Sequence, residues 1–531
     1  MRGEPLRGHA PTLLALLDDA ARRAPNRPFL VERDARGAWH QASFATVAER
    51  SRQVGAGLRA LGASERRPVM ILGRNGIEHA LVAFGAMRAG IPAVSVPAAA
   101  APGAPDGLAR LRAIAESVRP AVVFARDGAT YAAAAGAVAP DAAYVAVAEP
   151  PGGGAHDFAR LLAHGPLADD AASPGTETPA KVMFAVGASG DPRGVVTTHG
   201  MVCSLLQAVT QAWPFLEGEP PVVVNRLPWS HWLGGNVVLG IVLRHAGTLY
   251  IDDDRGRLRD EISPTLAFDV PHGWTAWAER LRADDALRRR WLSRLDLASW
   301  SGATLAPATR DALRAMRVPL AASWGATETA GSVTLTTGVD PKYDALGIPL
   351  AGSELKLVPT GDAYEARVRG LQVTPGYWWR PDRTAAAFDE EGYYRTGDVV
   401  RPIDVRAPQR GLAFVSRLDE RFKLSSGAWV RAGALHESML AECSDLADVA
   451  VVGEGRDEVG LFVWPTAEAL GLDRDALRAQ IAAAMHRAAT SKGAADRPRR
   501  ALIVEQPRRE LDDRMIARLY ASEPDADVIL A

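Results

Sequence analysis

Residues 182–199 read Val-Met-Phe-Ala-Val-Gly-Ala-Ser-Gly-Asp-Pro-Arg-Gly-Val-Val-Thr-Thr-His. An apolar run breaks into a loop of Gly and Ser and closes on a cation, Arg193. Such a loop can wrap a phosphate chain with backbone N–H groups, because glycine permits close approach and backbone conformations closed to other residues. It is not the GxxxxGK[ST] P-loop, and alone it reads equally well as a structural turn. Gly187, Ser189, Gly190 and Arg193 therefore become phosphate ligands only if the rest of the chain supplies companions. Three later runs are the candidates: Ser323-Trp-Gly-Ala-Thr-Glu-Thr329, Tyr394-Arg-Thr-Gly-Asp398 and Ser416-Arg-Leu-Asp-Glu-Arg-Phe-Lys-Leu-Ser-Ser-Gly427. Taken singly each has a plain structural reading, since an Asp after Thr-Gly is a turn former and a Trp is more often core than platform. Their occurrence in series carries the argument.

These runs need rigid elements to hold them. Short β-type segments alternate with longer Ala, Leu and Arg segments at helical spacing: Pro68–Leu72, then Glu78–Ala89, then Ala93–Val96. The alternation predicts βαβ units and a parallel sheet. It returns at Ala121–Ala125, Val222–Asn225 and Thr248–Ile251. Stretches rich in Ala, Gly, Pro and Ser at Ala98–Pro105, Pro150–Ala155 and Ala168–Pro179 read as surface loops, the third leading into the glycine-rich motif. Beyond about Arg417 the pattern becomes a compact α+β unit, with strands at Leu446–Gly453, Val459–Trp464 and Ala501–Glu505 and an amphipathic helix near Asp473–Arg487.

A chain of 531 residues exceeds the size at which one core stops growing, so two or more domains are expected. With 61 basic and 63 acidic side chains the net charge is -2, which makes nucleic acid and anionic membrane poor partners. The first ten residues lack the apolar stretch of a secretory signal, and every apolar window is interrupted before bilayer length. A cytoplasmic protein without a membrane span is the expectation. Cys203 and Cys443 lie far apart with no CxxC spacing, so they read as small core residues and not as a disulfide or zinc site.

In this order, the four runs resemble the core motifs of the adenylate-forming superfamily of acyl-CoA synthetases, adenylation domains and luciferases. The resemblance extends over nearly the whole chain to bacterial feruloyl-CoA synthases, through Asn75-Gly-Ile-Glu-His-Ala80, Leu227-Pro-Trp-Ser-His-Trp-Leu-Gly-Gly-Asn236, Thr374-Pro-Gly-Tyr-Trp378 and Asp457-Glu-Val-Gly-Leu461. It implies a large multi-sheet α/β adenylation domain over 1–417 and a small mobile α+β domain over 418–531, with a hinge near Asp419. It also implies ATP, Mg²⁺ and coenzyme A, with a carboxylic acid, of aryl or hydroxycinnamic type, as the other substrate. By resemblance Glu328 holds Mg²⁺, Thr327 contacts the α-phosphate, Trp324 and Gly325 lie against adenine, and Asp398 with Arg417 grips the ribose. His231 lines the acyl pocket and helps admit the thiol. Trp229, Trp232, Gly235, Ser301 and Gly302 are expected around the same pocket, which their neighbourhood makes aromatic-lined and closed. Lys423 and Gly427 follow the hinge and border the thiol channel.

Two sites depart from the family. The loop usually reads Thr-Ser-Gly-Ser-Thr-Gly-x-Pro-Lys-Gly, whereas Ala185, Val186 and Ala188 here lack hydroxyls and Arg193 replaces the Lys. Arg514 falls where relatives carry the Lys that bridges carboxylate and α-phosphate; it keeps the charge but exchanges a compact ammonium for a planar fork. Slowed adenylation is the expectation. Two alternatives stand beside a CoA ligase: the same chemistry delivered to a carrier-protein thiol, and a degenerate paralogue that binds ligand without turnover.

Overall fold

A computed structural model describes the whole chain except residues 35, 105, 149–155, 168–172, 186–191, 253–257, 337–344, 491–496, 505–512, 523–524, 526 and 531. The loop readings at Pro150–Ala155 and Ala168–Ala172, and the glycine-rich loop from Val186 to Asp191, lie outside the described residues. Two compact units interleave along the sequence. The first takes Met1–Lys356, Arg367–Arg395 and Pro402–Ala413; the second takes Leu357–Ala366, Thr396–Arg401 and Phe414–Ala531.

The first unit is α/β, as the alternating pattern predicts. Its seven-stranded sheet runs, edge to edge, through His156–Asp157, Ala143–Ala148, Val122–Asp127, Val69–Leu72, Ala93–Ser95, Pro179–Ala185 and Arg193–Thr198. All pairs are parallel except the last, where Pro179–Ala185 and Arg193–Thr198, on either side of the glycine-rich motif in sequence, pair antiparallel. The central strand Val69–Leu72 and residues Val122–Ala125 of its neighbour are apolar on both faces because helices cover both sides of a parallel sheet. A second sheet places Pro28–Arg33, Thr248–Ile251, Val222–Asn225, Leu266–Asp269, Leu297–Trp300 and Leu320–Ala326 side by side in parallel. It continues by the antiparallel strand Gly331–Leu335, so a tight turn at 327–330 hangs at the end of Leu320–Ala326.

Helix starts follow local chemistry. Thr12 caps Leu13–Arg23 by accepting the Ala15 amide at 3.0 Å, and Thr198 caps His199–Ala212 by accepting the Met201 amide at 3.2 Å. The second cap fastens this helix directly to the end of strand Arg193–Thr198.

The second unit has its own core, in which Val430, Leu435, Met439, Leu461, Ile481 and Met485 are almost wholly buried. A four-stranded sheet, Leu446–Val452, Val459–Pro465, Pro498–Ile503 and Val528–Leu530, packs against helix Arg474–Thr490. Both cysteines are free and buried, and burial pushes the Cys203 thiol up to about 12. Among the described residues no helix is long and apolar enough to cross a membrane.

Candidate active site

In the first unit three segments meet. Strand Arg193–Thr198 returns from the glycine-rich loop, the turn Thr327–Thr329 follows strand Leu320–Ala326, and segment Thr374–Trp378 is laid between them. The Val196 amide donates to the Gly376 carbonyl at 3.1 Å and the Trp378 amide to the Gly194 carbonyl at 2.7 Å, so this segment runs along the returning strand. The Thr374 amide donates to the Glu328 carbonyl at 2.7 Å, which ties the turn to the same strand.

Glu328 is 5% exposed and its Oε1 accepts the Tyr377 hydroxyl at 2.9 Å. Tyr394 reaches both groups. Burial, then the Glu328 carboxylate, push the Tyr377 phenol up to about 12 and hold Tyr394 well above its ordinary value. Both phenols therefore stay protonated and able to donate, which compensates a carboxylate taken out of water. Arg193 sits close enough to Tyr377 to act on it electrostatically, and its buried Nε has no partner in the protein. A cation with a spare donor beside a buried carboxylate is a fitting seat for a phosphate chain and its metal. Gly187, Ser189 and Gly190 belong to the loop outside the described residues.

Trp324 is buried and Gly325 follows it at a bulge in the hairpin with Gly331–Leu335. A Cβ on Gly325 would stand 1.8 Å from the Gly331 carbonyl oxygen, so only glycine lets the two strands approach. Thr329 fixes the turn by accepting the Ala326 amide at 2.9 Å, and leaves the half-exposed Thr327 at the turn's edge. Ser301 anchors the end of strand Leu297–Trp300 through a 2.8 Å bond to the Ser323 carbonyl, and Gly302 takes a positive φ of 96° beyond it.

Of the expected acid-pocket residues, Trp229, His231, Trp232 and Gly235 lie on one continuous segment, whereas Ser301 and Gly302 follow strand Leu297–Trp300. Trp229 is buried, its amide held by Asn75 at 2.9 Å and its ring edge-on to His79 with centroids 5.1 Å apart. His231 is half-buried, accepts the Leu233 amide at 3.2 Å and lies 5.3 Å from the Trp232 ring; burial lowers its pKa. The amide donated to its Nδ1, like burial, favours a neutral imidazole. A π-helix, Leu233–Val238, begins at once. Cβ atoms on Gly234 and Gly235 would stand 2.5 and 2.2 Å from the Pro228 and Trp229 carbonyl oxygens, which explains the paired glycines.

The second unit holds the remaining candidates. Arg417 Nη1 donates to Asp398 Oδ1 at 2.6 Å and to the Thr396 carbonyl at 2.9 Å, clamping the Thr-Gly-Asp run of strand Tyr394–Pro402, in which Gly397 has φ 69°. Lys423 is exposed, with Nζ 4.9 Å from the Trp429 ring centroid, and Gly427 makes the tight turn of that hairpin at φ 81°. Arg514 is exposed on the short helix Asp513–Leu519.

Sequence reasoning did not single out Tyr377 or Tyr394, although both stand inside runs it noted. It also passed over Lys181, whose signal was plain: one charged residue in an apolar strand. Lys181 is 8% exposed and donates to the Gly235 carbonyl at 2.6 Å and to Asn236 Oδ1 at 2.9 Å.

Residues 17–378 match the AMP-binding enzyme family and residues 419–513 match the AMP-binding enzyme C-terminal domain. The chain is similar to the carboxylic acid reductase of Segniliparus rugosus, 27% identical over 62% of this chain and 30% of that protein. It is also similar to 4-coumarate--CoA ligase 5 of Oryza sativa subsp. japonica, 26% identical over 79% and 78%. The chain thus spans under a third of the length of the reductases it matches. Its fold is like that of the anthranilate CoA ligase AuaEII, solved with anthranoyl-AMP: TM-score 0.71 and 19% identity over 93% of each chain.

Proposed function

The chain belongs to the AMP-binding enzyme family, and on that premise we propose that it is an ATP-dependent acid–thiol ligase, of feruloyl-CoA-synthase type, that makes an acyl-adenylate and then an acyl-CoA thioester. The observation that carries this reading is the buried Glu328 carboxylate, held by two protonated phenols, Tyr377 from the segment that runs along strand Arg193–Thr198 and Tyr394 from strand Tyr394–Pro402, with the spare donor of Arg193 nearby.

In the first step a carboxylate oxygen attacks the α-phosphorus of ATP and the bond to pyrophosphate breaks. Catalysis here is charge neutralisation and alignment. Arg193 with the loop residues Gly187, Ser189 and Gly190 binds the phosphates, and Thr327 orients the α-phosphate. Glu328 holds Mg²⁺, whose chemistry when bound is to neutralise phosphate charge. One carboxylate plus phosphate oxygens suits this ion, and among the described residues no cluster of three acidic, His or Cys side chains could hold a metal unaided. Trp324 and Gly325 take the adenine, and Asp398 with Arg417 the ribose. In the second step the thiol attacks the acyl carbonyl and AMP leaves. The small domain, turning about a hinge near Asp419, brings Lys423 and Gly427 to the thiol and withdraws Arg514.

An aryl or hydroxycinnamic acid is supported by the aromatic segment around Trp229, His231 and Trp232, with Gly235, Ser301 and Gly302 assigned to the same pocket, and by the likeness to a 4-coumarate--CoA ligase. A carrier-protein thiol is the alternative acceptor, which the likeness to a nonribosomal peptide synthetase supports. Acid-dependent ATP–pyrophosphate exchange, followed by offering CoA and a pantetheinylated carrier to the charged enzyme, separates them. Thioester on CoA alone is the expected result; thioester on the carrier alone moves the chain to the second reading, and exchange with no acid rejects both.

A further inference from the structure

We propose that Lys181 and Asn236 are positioning residues, a buried hydrogen-bond relay that sets three segments of the site in register: the strand entering the glycine-rich loop, the helix behind the acid pocket and the turn carrying Glu328. The functional meaning rests on the reading above; the relay itself rests on geometry.

Lys181 comes from strand Pro179–Ala185, five residues before the loop, where Val182, Met183 and Phe184 beside it are buried. Its two recorded acceptors are both uncharged, the Gly235 carbonyl at 2.6 Å and Asn236 Oδ1 at 2.9 Å. Asn236 is 0% exposed and passes the connection on, its Nδ2 donating to the Ala330 carbonyl at 2.9 Å and meeting Met183 Sδ at 3.3 Å. Ala330 closes the turn Thr327–Thr329 in a left-handed conformation, φ 56°, which a non-glycine residue adopts only under constraint. The other end of the relay acts on the acid pocket. Gly235 donates its amide to the His231 carbonyl at 2.8 Å, so the ammonium that holds the Gly235 carbonyl also fixes the residue next to Trp232.

Packing does not do this alone. A cavity of about 30 Å³ adjoins the relay, lined by Lys181, Asn236, Gly235, Trp229, His79 and Ser95, so the relay is not close-packed on that side. A bare lysine in such a place is costly. Burial pushes its ammonium down to about 7, and the imidazoles nearest it, His79 from helix Ile77–Arg88 and His199 from helix His199–Ala212, are pushed to about 4 and carry no charge near neutrality. Methionine or leucine would fill this strand position more cheaply, which points to a task for the charge beyond packing.

The test uses Lys181→Met, Asn236→Leu and the double variant in the full chain. Hydrogen exchange is read at 233–238 and 327–331, and acid and ATP KM by pyrophosphate exchange. The relay predicts that K181M loosens both segments together, and raises the acid KM about tenfold, the scale of one lost bond to a charged donor, with ATP KM nearly unchanged. It also predicts that the two changes are less than additive in the double variant, because each cuts the shared Lys181–Asn236 bond. Segment 327–331 keeping wild-type protection in K181M overturns the relay, as do additive effects of the two changes. A lowered melting temperature with unchanged acid KM assigns Lys181 to stability only. If the wild type exchanges pyrophosphate with no acid, the ligase reading falls while the hydrogen-exchange result still decides the relay; if N236L does not fold, K181M decides it alone.

Discussion

The two carboxylates assigned to ATP are held in opposite ways. Glu328 in the first unit is 5% exposed and its carboxylate is held by phenols, with no cation bonded to it among the described residues. Asp398 in the second unit has a side chain 13% exposed, gripped by an Arg417 side chain that is 39% exposed. A buried carboxylate without a cation is poorly neutralised and awaits positive charge. A paired one is already neutralised and can offer only its remaining lone pairs, as a ribose hydroxyl requires. The difference suits a metal-binding group in one unit and a sugar-binding group in the other.

Removing charge from the buried member should have the largest effect. Glu328→Gln keeps the shape and the Tyr377 bond, so the fold should persist while the exchange rate falls by about a hundredfold or more, the scale of one lost electrostatic contact in a catalytic site. Loss restored by raised Mg²⁺ would fix the role on the metal; an unchanged rate would remove it. Asp398→Ala should come next. It should weaken ATP binding in calorimetry by about ten- to a hundredfold with little change in melting temperature, because the Arg417 left behind is 39% exposed and stays hydrated. Unchanged affinity in a folded variant would unseat the nucleotide assignment.

A third test sharpens the contrast between paired and unpaired buried charge through pH. Lys181 titrates at about 7 in the folded protein against an ordinary 10.5, so between those values the unfolded chain carries a proton that the folded one does not. Stability from this group therefore rises with pH across that window, by up to about 1.4 kcal/mol per pH unit, and its penalty is complete below pH 7. Wild type should gain on K181M in urea melts from pH 7 to 10, with no such gain from pH 5 to 6.5, where His79 and His199 stay neutral. A constant difference would mean that Lys181 keeps its proton in the fold. The smallest effect is expected at Arg514: Arg514→Lys should raise the adenylation rate a few-fold and leave thioester formation from supplied acyl-adenylate unchanged, since the second step uses the other orientation of the small domain. A fall in the first step would mean that the fork of Arg514 is fitted to its own substrate.

What the sequence disclosed, and what it hid, divides by distance along the chain. Strands such as Val222–Asn225 and Thr248–Ile251 are legible because the apolar run and its Gly or Pro borders are local. Glu328, Asp398 and Arg417 stand out because each belongs to a short run with a recognisable companion. The phenol of Tyr377 is invisible as a partner of Glu328, 49 residues away, since only the pairing of segment 374–378 with strand Arg193–Thr198 brings them together. The interleaving of 357–366 and 396–401 with the C-terminal unit is hidden for the same reason. Lys181 is the instructive omission: its oddity was local and readable, but its meaning depends on Asn236, 55 residues later.

The most direct test of the account is acid-dependent exchange of labelled pyrophosphate into ATP by the purified full chain, over a panel of aryl, hydroxycinnamic and alkyl acids with Mg²⁺ present. The account predicts exchange that is slow but specific, strongest with an aryl or hydroxycinnamic acid and abolished in Glu328→Gln. No exchange with any acid, from a protein that still binds ATP, would contradict it and leave a nucleotide-binding chain without ligase activity.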